Sequence, residues 1–188
     1  MTIFYLVRHG ACDGLGVTLW GRTAGVCLNE EGKAQAQVLA NRFRSIKLDA
    51  VYSSPLERAR ETAEAIARAA RLEVKQSCAF NEIDFGDWSG KSFDTLARDD
   101  RWRRFNTHRS VATIPGGETF PGVRARVNAE LETLTAQHKN SRVVIVSHAD
   151  VIKAAIGYGA DTPVDMLQRY DISPGSVSIV VTDEHGGN

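Results

Sequence analysis

Ile3-Phe4-Tyr5-Leu6-Val7-Arg8-His9-Gly10 passes in one step from five apolar residues to a cation, an imidazole and a glycine. The apolar part, with β-branched and aromatic residues and no polar alternation, predicts a strand covered on both faces, as in a mostly parallel α/β sheet. In open α/β sheets ligands bind outside the carboxyl ends of the strands, which places Arg8 and His9 at a candidate site. Gly10 suits the same position, because a residue without Cβ lets the chain turn sharply and brings backbone N–H groups close to an anion. A second run, Arg142-Val143-Val144-Ile145-Val146-Ser147-His148, repeats the pattern and puts His148 at the end of another strand.

Between these runs the chain alternates strand and helix signals. A glycine-containing loop from Gly10 to Gly25 leads to Asn29-Glu30-Glu31, an N-cap followed by acids that suit the positive end of a helix. Ala36, Leu39, Phe43 and Ile46 then recur at helical spacing, and Leu48 to Ser53 reads as a short strand. Ser54-Pro55-Leu56-Glu57 predicts a helix start with Ser54 as cap, Pro55 in the first turn and Glu57 closing a capping box. Leu56, Ala59, Ala63, Ile66 and Ala70 form the buried stripe of that helix, with Arg58 at its flank. Residues from about Phe80 to Gly117 carry Trp88, Phe93, Trp102 and Phe105 among charges and glycines, and read as a substrate-facing cap insertion of short helices. Trp88 and Trp102 could line a pocket or form local core. Val123, Val127, Leu131 and Leu134 mark a helix, Ala149 to Gly157 another, and Ser176 to Thr182 a last strand. The expectation is a three-layer α/β/α sandwich with a mostly parallel central sheet, built as one domain over residues 1–188 with a small helical cap at about 80–117.

Composition narrows the function. The chain has 188 residues, with 23 Lys+Arg balancing 23 Asp+Glu, so no overall field favours nucleic acid or an anionic membrane. Any anion site must be local. Cys12, Cys27 and Cys78 are odd in number and widely spaced, which points to free thiols and away from a disulfide framework or zinc cluster. No stretch approaches the roughly 20 apolar residues of a membrane span, the N-terminus lacks signal-peptide features, and a cytoplasmic setting is expected.

Arg8, His9, Arg58 and His148 on one rim would form a cationic cluster suited to a phosphoryl dianion, since arginine donates paired hydrogen bonds to neighbouring oxygens. The imidazoles could also act as nucleophiles.

At this point the chain resembles the histidine phosphatase superfamily, in its phosphoglycerate mutase-like branch. The matching segments come in the family's order: Leu6 to Gly10, Leu28 to Gly32, Ser53 to Ala59 with Thr62-Ala63, Glu82-Ile83-Asp84-Phe85-Gly86-Asp87-Trp88-Ser89-Gly90, Pro115 to Thr119, and Val146-Ser147-His148. The resemblance implies that His9 accepts the phosphoryl group as a phosphohistidine, that Arg8, Arg58 and His148 hold its oxygens, and that Glu82 is the proton donor. It implies a phosphomonoesterase with no metal or other cofactor, acting on a small phosphorylated substrate. Phosphoryl transfer asks mainly for in-line positioning and charge neutralisation, which these side chains could supply. A poor alkoxide leaving group then needs an acid kept neutral near pH 7.

The chain departs from the family where many members carry Glu-Thr and a phosphate-contacting Asn after the glycine. Here Ala11-Cys12-Asp13 follows, and no Asn precedes Asn29. Thr18 and Arg22 are candidate substitutes for that contact. Ala149 replaces a common glycine, and its backbone N–H is a further candidate donor. Asp84 and Asp150 are rival proton donors better read as loop or cap residues, Arg60 reads as a solvated helix charge, and His108, His138 and His185 as surface residues. Two other functions compete with the phosphatase: a cofactor-dependent phosphoglycerate mutase, and a catalytically weak module that binds phosphate or phosphopeptides. An exposed sheet edge or helix face could support a homodimer.

Overall fold

The computed structural model describes residues 1–182, and the opening run forms its first strand, β1 (Thr2–Arg8). Helix α1 (Glu30–Phe43) follows, then β2 (Ala50–Ser53), α2 (Glu57–Ala70) and the short β3 (Val74–Gln76). A segment of 3₁₀ turns at Cys78–Phe80 and Gly86–Trp88, with α3 (Phe93–Leu96) and α4 (Asp100–Thr107), precedes the long α5 (Phe120–Gln137). The chain then returns through β4 (Arg142–Ser147), α6 (Ala149–Gly159), a 3₁₀ turn at Val164–Arg169 and β5 (Val177–Thr182). Strand order is β3-β2-β4-β1-β5, parallel except for β5, which runs antiparallel to β1.

Period-two alternation divides the sheet between two cores. Phe4, Leu6, Val143 and Ile145 face α5, α6 and the 80–117 segment, while Val7, Val51, Val144 and Val146 face Leu39, Phe43, Ala63 and Ile66 of α1 and α2. Helices therefore cover both faces, giving the α/β/α sandwich. Because β4 lies between β2 and β1, the ends of all three parallel strands share one rim.

Several local expectations change. Asn29 caps α1 through the Gly32 N–H, but the helix stops at Phe43, so Ile46 packs from the following loop. Helix α2 begins at Glu57 with Leu56 in the cap position, and Ser54 lies before it, turned toward the sheet rim. Arg58, expected at the flank, is buried together with Thr62, while Ala70 is only partly covered. The edge strand β3 escapes a sequence reading because it is three residues long and carries Lys75 and Gln76. His138 is half-buried, with a ring nitrogen 2.9 Å from the Tyr52 hydroxyl, whereas His108 is exposed and His185 lies outside the described residues. The three cysteines are free thiols, Cys12 buried and the other two exposed.

Within residues 80–117 the aromatics form core. Trp88 and Phe105 are fully buried, and Trp102 meets Trp88 edge-to-face at 5.3 Å and stacks on Phe105 at 6.0 Å. Offset and edge-on ring pairs of this kind add directional preference to area burial. No helix among the described residues is long and apolar enough to cross a membrane.

Candidate active site

The strand ladder itself brings the two histidines together. Arg8 pairs with Ser147 across β1 and β4, so His9 and His148, each one residue further on, leave the sheet side by side. Their ring centroids are 5.2 Å apart at an interplanar angle of 61°. The turn after His9 depends on glycine: a Cβ on Gly10 would lie 2.6 Å from the Gly32 carbonyl oxygen, and one on Gly32 would lie 2.0 Å from that of Ala11. The first turn of α1 thus rests directly on the loop that carries His9.

His9 is 4% exposed, and its Nδ1 lies 2.7 Å from the Gly10 carbonyl oxygen. A carbonyl only accepts, so Nδ1 carries the proton and Nε2 holds the free lone pair. The only neighbour on that lone pair among the described residues is Arg58, whose Nε–H donates to it at 3.3 Å. Burial first, and then the Arg58 charge, push the His9 pKa down to about 3, so the ring is neutral near pH 7. Arg58 is fixed in turn: its Nη2 donates to the Gly21 carbonyl at 2.8 Å, and Thr62 one turn on donates its hydroxyl to the Arg58 carbonyl while accepting the Gly10 N–H.

Glu82 and His148 complete the ring of groups. Glu82 Oε2 lies 3.8 Å from His148 Nδ1, and Oε1 accepts the Ile83 N–H at 2.9 Å. Burial, followed by the nearby Asp150 charge, raises the Glu82 carboxyl from 4.5 to about 7, against smaller lowering by the Ile83 N–H, Arg58 and Arg8. His148 is fully buried, and burial together with the Arg58 charge keeps it neutral. Its Nε2 sits 2.9 Å from the Ser54 hydroxyl. Arg8 reaches the rim from the end of β1, held by one Nη1 contact to the Ile172 carbonyl at 2.5 Å.

Three buried nitrogens here lack a hydrogen-bond partner among the described residues: Arg8 Nε, Arg58 Nη1 and His148 Nδ1. An unpaired buried donor costs ~1–3 kcal/mol, more if charged. Two guanidinium N–H groups and an imidazole nitrogen without partners, on side chains next to His9, are the kind of set a phosphoryl oxyanion would satisfy.

The other expected residues go elsewhere. Arg22 makes no hydrogen bond to His9 or His148: its Nε donates to the Glu82 carbonyl at 2.8 Å and its Nη2 to Glu118 Oε1 at 2.9 Å, so it braces the loop that carries the acid. Thr18 bridges Ser92 through its backbone and makes no hydrogen bond to Arg8, His9, Arg58 or His148. Ala149 opens α6 directly after His148, which occupies the cap position without capping the helix by its side chain; that helix end favours negative charge. Asp150 pairs with the buried Arg109 at 2.8 Å, and Asp84 accepts the Gly86 N–H and faces Arg22 at 3.7 Å. Arg60 pairs with Glu64 at the helix surface.

Sequence reasoning missed Glu118 and Arg126 as part of this region. Arg126 donates to the Ala79 and Asn81 carbonyls and to both oxygens of Glu118, which also accepts the Asp84 N–H. Their signal was slight: Glu118 falls in the matched Pro115 to Thr119 segment, and Arg126 lies two helical turns further along.

Comparison with known proteins identifies the family. The family described as histidine phosphatase superfamily (branch 1) matches residues 4–188. Phosphoserine phosphatase 1 of Hydrogenobacter thermophilus is 36% identical over 159 residues, covering 82% of this chain and 74% of that protein. Phosphoglycerate mutase-like protein 4 of Arabidopsis thaliana is 33% identical over 79% of this chain and 67% of its own length. Among solved structures, the phosphoserine phosphatase of Entamoeba histolytica in complex with 3-phosphoglyceric acid superposes with a TM-score of 0.88 at 28% identity, covering 99% of this chain and 93% of that one.

Proposed function

The chain belongs to the histidine phosphatase superfamily (branch 1), and from that premise we propose that it is a metal-independent phosphomonoesterase working through a phosphohistidine on His9. The observation that carries the reading is the His9 tautomer. Its Nδ1–H is spent on the Gly10 carbonyl, which leaves the Nε2 lone pair, now met by the Arg58 Nε–H, to attack phosphorus.

In the first step Nε2 attacks phosphorus, the P–O ester bond breaks, and Glu82 gives its proton to the departing oxygen. The Arg58 N–H that now rests on Nε2 is released to a phosphoryl oxygen as the lone pair is used. Arg8, Arg58 and His148 hold the equatorial oxygens while charge spreads over them. In the second step the Glu82 carboxylate takes a proton from water, which attacks phosphorus, breaks the P–N bond and returns His9 and protonated Glu82. A carboxyl near pH 7 suits both duties. Two guanidiniums supply the positive charge that other phosphoryl-transfer sites take from metal ions.

The names of the relatives direct the substrate panel to small phosphomonoesters, phosphoserine and phosphoglycerates first. The test is His9→Ala beside wild type with an aryl phosphate, scored by release of inorganic phosphate. Loss of several orders of magnitude is expected, as for removal of a covalent nucleophile. Equal rates in the two proteins sink the assignment. Rapid exchange of phosphate between glycerate positions with little release would instead make the protein a mutase.

A further inference from the structure

Ser54 reads in the sequence as a helix cap, yet the structure spends its hydroxyl on His148. We propose that Ser54 sets the tautomer of His148, donating its proton to Nε2 so that Nδ1–H is the form presented to the phosphoryl group. This rests on the reading of His148 as a phosphoryl ligand.

The proton count supports it. His148 is a fully buried neutral ring, so one nitrogen donates and the other accepts. Nδ1 faces Glu82 at 3.8 Å with no hydrogen-bond partner among the described residues, and Nε2 faces Ser54 Oγ at 2.9 Å. A ring that is to hold a phosphoryl oxygen must carry its proton on Nδ1, which makes Nε2 the acceptor and Ser54 the donor.

Ser54 has one proton and two acceptors in reach. The second is Asn81 Oδ1 at 3.4 Å, already engaged by the Glu82 N–H at 2.9 Å, so the shorter contact to His148 takes the proton. The Leu56 N–H meanwhile donates to Ser54 Oγ at 3.3 Å, occupying a lone pair of the hydroxyl and leaving its proton for the ring. The chain of donors then runs from Leu56 N–H through Ser54 O–H and the imidazole to the phosphoryl oxygen. In the opposite tautomer, Nδ1 would accept from the protonated Glu82 carboxyl and tie up the acid needed for the leaving group. Ser54 is thus a positioning residue that keeps the phosphate ligand and the proton donor from pairing with each other.

Nitrogen-15 NMR of histidine-labelled protein tests this directly, with His148 assigned by its loss in His148→Gln. In the wild type, Nε2 should resonate as an unprotonated and Nδ1 as a protonated nitrogen. Ser54→Ala should move the ring toward Nε2–H or a mixture, and lower kcat/KM by about 10- to 100-fold, by analogy with the groups that orient metal-ligating histidines. Ser54→Thr, which keeps the hydroxyl, should restore both. An Nε2–H ring in the wild type, an unchanged tautomer in Ser54→Ala, or an altered tautomer with unchanged kcat/KM would overturn the proposal. The wild-type spectrum decides even if neither Ser54 variant folds. Absence of His9-dependent phosphate release would overturn the proposed function instead, which the spectrum does not read.

Discussion

Replacing Glu82 with Gln should stabilise the protein in alkaline solution while abolishing its acid catalysis. In the unfolded chain a glutamate ionises near 4.5, whereas in the fold Glu82 does so at about 7. Between those values the folded state binds the proton more tightly, so stability falls as pH rises through the window. At ~1.4 kcal/mol per pH unit, ionised Glu82 costs the fold about 3 kcal/mol above pH 7 and nothing below pH 4.5. Glutamine is neutral throughout, and its oxygen can still accept the Ile83 N–H that Glu82 accepts at 2.9 Å. Thermal unfolding in phosphate-free buffers across pH 4.5 to 8.5 should therefore show Glu82→Gln ahead by roughly 6–12 °C at the alkaline end and level with wild type at the acid end. His9 shifts the other way, with a folded pKa of about 3, so acid weakens both proteins alike and leaves the difference intact. Activity on alkyl phosphates should drop about 10²- to 10⁴-fold in the same variant. A variant no more stable than wild type at pH 8.5, or an advantage equal at pH 5 and pH 8.5, would refute the burial penalty on this carboxyl.

Two further outcomes separate packing from chemistry. Gly32→Ala pits helix propensity, which favours alanine by about 1 kcal/mol, against a Cβ placed 2.0 Å from the Ala11 carbonyl oxygen. Sterics should win, and chemical denaturation should report a loss of about 1–3 kcal/mol. Arg58→Lys keeps the charge but cannot span both the Gly21 carbonyl and His9; kcat for an aryl phosphate should fall about 10²-fold or more, with wild-type-like urea unfolding showing that the fold survives.

Much of this was legible because its cause is local. The jump from apolar strand to imidazole at His9 and at His148 is visible in a few residues, and parallel pairing of the two strands then follows from the fold class. What stayed hidden depends on partners far away in the chain. Ser54 Oγ accepts the Leu56 N–H at the helix start, as its sequence suggests, but its contact with an imidazole 94 residues away appears only in the folded geometry. Arg22 sits in a loop full of glycines with nothing nearby in sequence to name its partners, which are Glu118, 96 residues on, and the Glu82 carbonyl. The 80–117 segment resisted reading because its helices are four and eight residues long and are held by ring packing more than by periodicity.

The pairing of Arg8 with Ser147 gives the two histidines a common origin in the backbone. Their separation is written in the register of a hydrogen-bond ladder, a ruler graded in whole residues, and side-chain contacts only refine it. Lengthening either strand by one residue would turn its histidine to the opposite face of the sheet, so the site tolerates no intermediate setting. The loops beyond the rim, Ala11-Cys12-Asp13 among them, have no such ladder to fix their length.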